Sequence, residues 1–178
     1  MVIGIDISQM AYENTGVANY LFNLVKELLN SDHKNEYVLF YSSFRRPIQN
    51  SKFKTQNYSS KVKIKSYRLP PSLLNLLWNK LHIAPIEWFI GDVDIFISSD
   101  WTEPPAINAK KATILYDLIV YKYPKETDSK IIATQKRKLN WVKKECDIVF
   151  CISESTKKDA MEILGIEEKK LRVIYPGI

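Results

Sequence analysis

The 178-residue chain is 46% hydrophobic and 26% charged, proportions of a soluble globular protein long enough for one substantial core. Its formal charge of +6 suits an anionic partner such as nucleic acid, a phosphorylated substrate or an acidic membrane face, and suits equally a lysine-rich solvated surface. Two cysteines, Cys146 and Cys151, and two histidines, His33 and His82, leave no room for a disulfide scaffold or a zinc spacing, so a reducing cytoplasm is the default compartment.

The chain opens on MVIGIDIS, which meets a charge at Asp6 and is no secretory signal. Strand-like runs follow at 2–8, 36–42, 61–69, 93–99, 112–118, 147–153 and 171–177. Most are nearly continuous apolar runs, the pattern of central parallel strands covered on both faces. KVKIKSYRL (61–69) alternates instead, which predicts a wetter face or an edge position. Between the first two runs, Val17, Leu21, Leu24, Val25 and Leu28 recur at helical spacing, with Asn19, Asn23 and Lys26 opposite. The polar stretch 42–60 reads as a mobile loop, and LLNLLWNKLHIAPIEWFI is too interrupted by Lys80, Pro85 and Glu87 to span a bilayer. Residues 126–147 read as a basic amphipathic helix: Ile131, Leu139 and Val142 are apolar, while Lys136, Arg137, Lys138, Lys143, Lys144 and Trp141 suggest a solvated, membrane-facing or nucleic-acid-facing side. In ESTKKDAMEILG, Thr156 with Asp159 fits a capping box and Gly165 a helix stop. The closing YPGI predicts a unit that continues into a longer protein.

Strands alternating with helices predict an α/β fold: a doubly wound, Rossmann-like, mostly parallel sheet with helices on both faces. Ligands in such folds bind beyond the carboxyl ends of the strands, where strand order reverses. Four segments point to that edge: the turn from Gln9 to Gly16, SSDWTEPP, YDLIVY and SEST. The first turn lacks a dinucleotide fingerprint, yet the helix end after it could hold a phosphate. Alternatively, Thr15 or Asn14 only caps the helix and Gly16 relieves the turn. Asp117 could orient a sugar hydroxyl or simply cap a loop, and Tyr116 could donate to a ligand. Asp100 with Trp101 offers a carboxylate beside an aromatic plate, unless the ring packs on Pro104 and Pro105. Ser153 and Ser155 read first as helix caps.

Taken together, these segments resemble the N-terminal half of a GT-B glycosyltransferase of family 4, a retaining, nucleotide-sugar-dependent class rich in mannosyl- and glucosyltransferases. GIDISQMAYENTGVANYLFNLVKELL is similar to the family's opening strand, glycine turn and first helix. DVDIFISSDWTEPP resembles its D-[VI]-[FV]-H-S-P-x-x-x-x-P-P segment, and ATILYDLIVYKYPKE its H-D-L-x-x-x-x-x-P-E motif. CDIVFCISESTKKDAMEILGIEEKKLRVIYPGI is similar to its A-D-x-[IV]-[IL]-x-[VI]-S-E-x-[ST] strand and helix. The resemblance implies that residues 1–178 form the acceptor-side domain, with the nucleotide-sugar domain outside this chain.

By the same resemblance, Thr15, Gly16 and Val17 approach the donor phosphates. Asp117 and Tyr116 stand at the catalytic position, and Tyr20, Asp100, Trp101, Ser153 and Glu154 contact substrate. The nucleotide-sugar is a substrate rather than a cofactor, no metal is expected, and the acceptor is a glycan or a lipid-linked sugar. Nucleic acid is not expected as a partner. The location implied is the cytoplasm, with the Trp-rich stretch and basic face suiting peripheral contact at the inner face of a membrane. Three positions depart from the family pattern: Ala18 replaces a turn glycine, Tyr116 the histidine of H-D-L, and Ser98 the histidine of H-S-P. A phenol can donate a hydrogen bond but cannot become a cation near neutral pH. The alternative reading is a non-catalytic, sugar- or partner-binding module.

Overall fold

The computed structural model describes residues 1–46 and 61–177. Seven strands, β1 (Val2–Asp6), β2 (Glu36–Ser42), β3 (Val62–Tyr67), β4 (Ile95–Ser98), β5 (Lys110–Leu115), β6 (Ile148–Cys151) and β7 (Leu171–Val173), form one parallel sheet. Their order is β3-β2-β1-β4-β5-β6-β7, so the chain winds outward from β1 to one edge and then returns to build the other. This is the predicted doubly wound, Rossmann-like sheet. The alternating run is the edge strand β3, where one side has no neighbour to dry it.

The helices are α1 (Gly16–Ser31), α2 (Pro71–Leu74), which continues as a π-helical segment (Asn75–Lys80), α3 (Glu87–Ile90), α4 (Ile119–Lys122), α5 (Ser129–Glu145) and α6 (Glu154–Leu164). The two-residue period of β2 divides its side chains between the layers. Tyr37, Leu39 and Tyr41 pack with Ile5, Leu21, Val25 and Leu29 beneath α1. Val38 and Phe40 point the other way, to Leu74, Trp78, Ile86 and Ile90. Strand register carries that second face across to Leu115 and Val149, which pack with Leu139, Val142, Ala160 and Leu164 of α5 and α6. Gly4 belongs to the second face, and a Cβ there would stand 2.8 Å from Ile90 Cδ1 and 3.0 Å from Phe96. Glycine is therefore what lets α3 lie flat on the central strand.

Several local readings change. Asn14, at φ 67°, takes the left-handed position of the first turn, so Gly16 is not needed to relieve it. The cap of α6 is Ser153, whose hydroxyl accepts from Thr156 N–H at 3.1 Å, and Asp159 instead pairs with Lys122 at 2.9 Å. The Thr156–Asp159 box is thus displaced by one turn of register. Gly165, at φ 65°, ends that helix as predicted. Cys146 and Cys151 are free and buried among apolar side chains, burial pushing the Cys151 thiol up to about 11. The polar stretch 42–60 begins with the last residue of β2, and its positions 47–60 lie outside the described residues.

Candidate active-site cleft

Strand order reverses around β1, and a cleft of about 990 Å³ opens there beyond the strand ends. Asp6 and Gln9 line it from the end of β1, Thr15 and Val17 from the start of α1, and Asp100 and Trp101 from the end of β4. Arg46 closes the β2 side, its guanidinium donating to Ala11 O at 2.7 Å. Lys130 and Ile131 complete the wall from the first turn of α5.

The first turn builds its wall through a helix cap. Thr15 Oγ1 accepts from Ala18 N–H at 3.2 Å and donates to Tyr12 O at 2.9 Å. That satisfies one of the orphan donors and leaves the positive end of a 16-residue helix at the cleft. A Cβ built on Gly16 meets nothing within 4 Å. The glycine therefore answers neither backbone strain nor packing, and its missing methyl leaves open space beside the helix end. Ala18, by contrast, is buried, so its methyl does not stand in that space.

Asp100 and Trp101 are each held by a hydrogen-bond partner. Trp101 Nε1–H donates to Gln9 Oε1 at 3.1 Å, and Gln135 Nε2–H donates to Asp100 O and Oδ1 at 3.2 and 3.4 Å. Burial pushes the Asp100 carboxyl up; Lys138 pulls it down, and Asp117 pushes it further up. Asp6 is likewise raised by burial, against hydrogen bonds from Ser8 and the charge of Lys138.

The remaining candidates lie beside this cleft. Tyr116 is 7% exposed, packs edge-on against Tyr20 at 5.6 Å, and is held well above the ordinary phenol range by burial. Among the described residues its hydroxyl and that of Ser99 are buried without a well-formed partner, although Ser99 lies close enough to draw the phenol's pKa down. Tyr20 donates its hydroxyl to Ile174 O at 3.2 Å, tying α1 to the chain beyond β7. Asp117 is exposed and accepts from Ile119 N–H at 3.0 Å, the loop-capping geometry. Ser153 caps α6, while Glu154 lies with Lys157, Glu168 and Arg172 in a separate shallow depression. Thr15, Val17, Asp100 and Trp101 are thus brought to one cavity, while Tyr116, Tyr20 and Ser153 form its neighbouring shoulder, tied by Thr156 Oγ1 donating to Tyr116 O at 3.1 Å.

Ser98 is absent from the cleft altogether. It is fully buried in a polar band that runs between two apolar clusters. Lys138 Nζ donates to Thr113 Oγ1 at 3.0 Å, the Thr113 and Ser98 hydroxyls meet at 2.7 Å, and Ser98 donates to Glu103. Lys111 then bridges Glu103 at 3.0 Å and Glu145 at 2.7 Å, and Glu145 meets His82 Nε2 at 2.7 Å. Trp141, read from the sequence as part of a basic face, stacks on His82 at 3.6 Å and donates to Asn79 O at 3.0 Å. Among the described residues no group of His, Cys, Asp and Glu is placed to hold a metal ion, and no helix is long and apolar enough to cross a membrane.

The sequence model of Glycosyltransferase Family 4 matches residues 14–178, which is all of the chain except β1 and the turn after it. The chain belongs to glycosyltransferase family 4. No curated protein matches it. The seven-stranded parallel sheet agrees with the N-terminal half of a GT-B fold.

Sequence reasoning did not place Asp6 at the cleft or Lys138 in the interior. Asp6 was visible as the charged end of an apolar strand, where a side chain must either be paired or face a cleft. Lys138 was visible in phase: it stands seven residues after Ile131 and four before Val142, on the inward stripe of α5.

Proposed function

We propose that this family 4 chain is the acceptor-side domain of a GT-B glycosyltransferase. The enzyme moves a hexosyl group, of the mannosyl class, from a nucleotide-sugar to an acceptor hydroxyl with retention of configuration. The carrying observation is that the α1 N-terminus and the Asp100–Trp101 pair line one cavity at the strand-order reversal. In this reading the space over Gly16 admits the leaving diphosphate, and the helix end offsets its growing charge. The Trp101 ring gives a sugar a flat apolar platform, and the Asp100 and Asp6 carboxylates accept from its hydroxyls. Tyr116 and Asp117 sit where the family resemblance places the catalytic position. Tyr116 contributes as a neutral donor, since a phenol is protonated near neutral pH and burial raises it further.

A second, nucleotide-sugar-binding domain supplies the rest of the donor site, with no metal. The acceptor is a glycan or a lipid-linked sugar, and the enzyme works in the cytoplasm at the inner face of a membrane. That placement is supported by Trp88 at 72% exposure, with Leu81 and Ile83 also exposed and Lys80 nearby in sequence. The test is transfer from a panel of GDP- and UDP-hexoses, by the 178-residue chain alone and by protein carrying a second domain. We expect no turnover from the chain alone. Turnover by it, or undiminished transfer by Asp100→Asn in the two-domain enzyme, overturns the reading. The anomeric configuration of the product, read by NMR, decides retention. Co-sedimentation with phosphatidylglycerol vesicles, lost in Trp88→Ala, decides membrane contact.

A further inference from the structure

Lys138 is 1% exposed, and among the described residues its ammonium has one hydrogen-bond partner, the neutral hydroxyl of Thr113 at 3.0 Å. An ammonium so buried and without a carboxylate in contact is costly, and a leucine or methionine would fill the same space at less expense. Its position suggests what keeps it. On α5, Ile131 and Thr134 line the cleft, Gln135 binds Asp100, and Lys138 stands one turn further along the same stripe. Beneath the cleft it faces Asp6 from β1, Asp100 and Glu103 from the chain after β4, and Thr113 from β5, with Cys146 beyond the end of its own helix. Asp117 adds negative charge beside Asp100, and Asp6 and Asp100 both act on Tyr116. Among the described residues, Lys138 is the cation that acts on both cleft-lining carboxylates.

We propose that Lys138 is a positioning residue, supplying from below the positive charge that Asp6 and Asp100 need in order to serve as hydrogen-bond acceptors for sugar hydroxyls in the cleft. Burial works to raise both carboxyls and Lys138 works against it, and a protonated carboxyl offers a hydroxyl group fewer acceptor sites. The Thr113 hydroxyl fixes where the charge sits without neutralising it. This use of the charge rests on the acceptor reading of the cleft.

The test is a carboxyl ¹³C NMR titration of Asp6 and Asp100 in the 178-residue protein, compared with Lys138→Met, Lys138→Gln and Lys138→Arg. Asp100 should titrate at higher pH in both the Met and Gln variants and return toward the native midpoint in the Arg variant. Glutamine keeps a hydrogen bond to Thr113, so a purely structural lysine would leave its titration native. Should the Met variant fail to fold, the Gln and Arg pair carries the comparison. Unmoved midpoints in Lys138→Gln overturn the proposal and leave the acceptor reading standing. In the two-domain enzyme, the acidic limb of the transfer profile should move up with the carboxyl midpoints. Midpoints that move while that limb stays put overturn the acceptor reading together with this use of the charge.

Discussion

The two faces of the sheet are sealed by different chemistry. Under α1 the core is hydrocarbon and aromatic: Ile5, Ile7, Leu21, Val25, Leu39 and the rings of Tyr37 and Tyr41. On the opposite face, two apolar clusters are separated by the buried band from Lys138 to His82, with Glu103 and Ser98 wholly shielded. Apolar packing is tolerant in direction and tied to volume. A buried charge is tolerant of neither distance nor loss of a partner. The face that carries the charges also supplies Asp6 and the α5 stripe to the cleft. On the proposed reading, precision is placed where a ligand's hydroxyls must be met.

The sharpest way to break this contrast is to remove Glu103. Glu103→Ala strands Lys111 with Glu145 alone and leaves Ser98 only its contact with Thr113, so we expect a loss of about 3–5 kcal/mol in urea unfolding. A loss below ~1 kcal/mol would mean that the band contributes no more than a solvated pair. On the other face, Leu21→Ala removes a fully buried side chain from the apolar and aromatic cluster and should cost about 3 kcal/mol. That loss should be the same at pH 5 and pH 8, since the titrating groups of this cluster are tyrosines whose phenols stay protonated over that range; a pH-dependent loss would erase the distinction between the faces.

The charged face should also answer to acid. Burial works to raise the Glu145 carboxyl, but Lys111 and His82 outweigh it and hold the group below its ordinary value of 4.5. A carboxylate depressed in the folded state adds stability that is fully present above the unfolded value and is lost as pH falls through the folded one. The native protein should therefore lose more stability below pH 4.5 than Glu145→Gln does, with the two curves running parallel above it. Because Glu145 is about a third exposed, the gap will be modest. Parallel curves throughout the acid range would show that the pairing is screened away. Smaller still are the caps: Thr15→Ala and Ser153→Ala should each cost about 1 kcal/mol.

These contrasts explain what could be read in advance. The strands were legible because central parallel strands are apolar throughout, and β3 declared itself an edge by alternating. Their ends were not, since Val93 before β4 and Leu118 after β5 stay buried outside the ladder, so composition continues where strand pairing does not. The cleft's α1 and β4 walls were legible because a helix end and a Trp beside a carboxylate mark themselves locally. The charged band was not. Lys138 and Trp141 lie among five other basic residues, and only the helix phase, tested against the actual neighbour, separates the buried ones from the solvated. Ser98 was read as standing in for the family's histidine because of its place in a motif. Strand parity sends it to the interior beside Thr113 instead.

Gly16 separates stability from function most cleanly. It opens α1 next to the Thr15 cap, has no positive φ, and would give a methyl open space on every side. Gly16→Ala should therefore leave stability unchanged or raise it by about 0.5 kcal/mol, because alanine restricts the unfolded chain and suits a helix. If the open space serves a diphosphate, the same methyl occupies it, and transfer by the two-domain enzyme should fall about tenfold or more through weaker donor binding and a less stabilised leaving group. Gly16→Ser would add bulk with a hydroxyl and should fall as well. A Gly16→Ala enzyme that is both stable and fully active would leave the α1 terminus as a capped helix end and nothing further. One that is stable and impaired places the phosphate beside Gly16, because no packing or strain in the domain accounts for the loss.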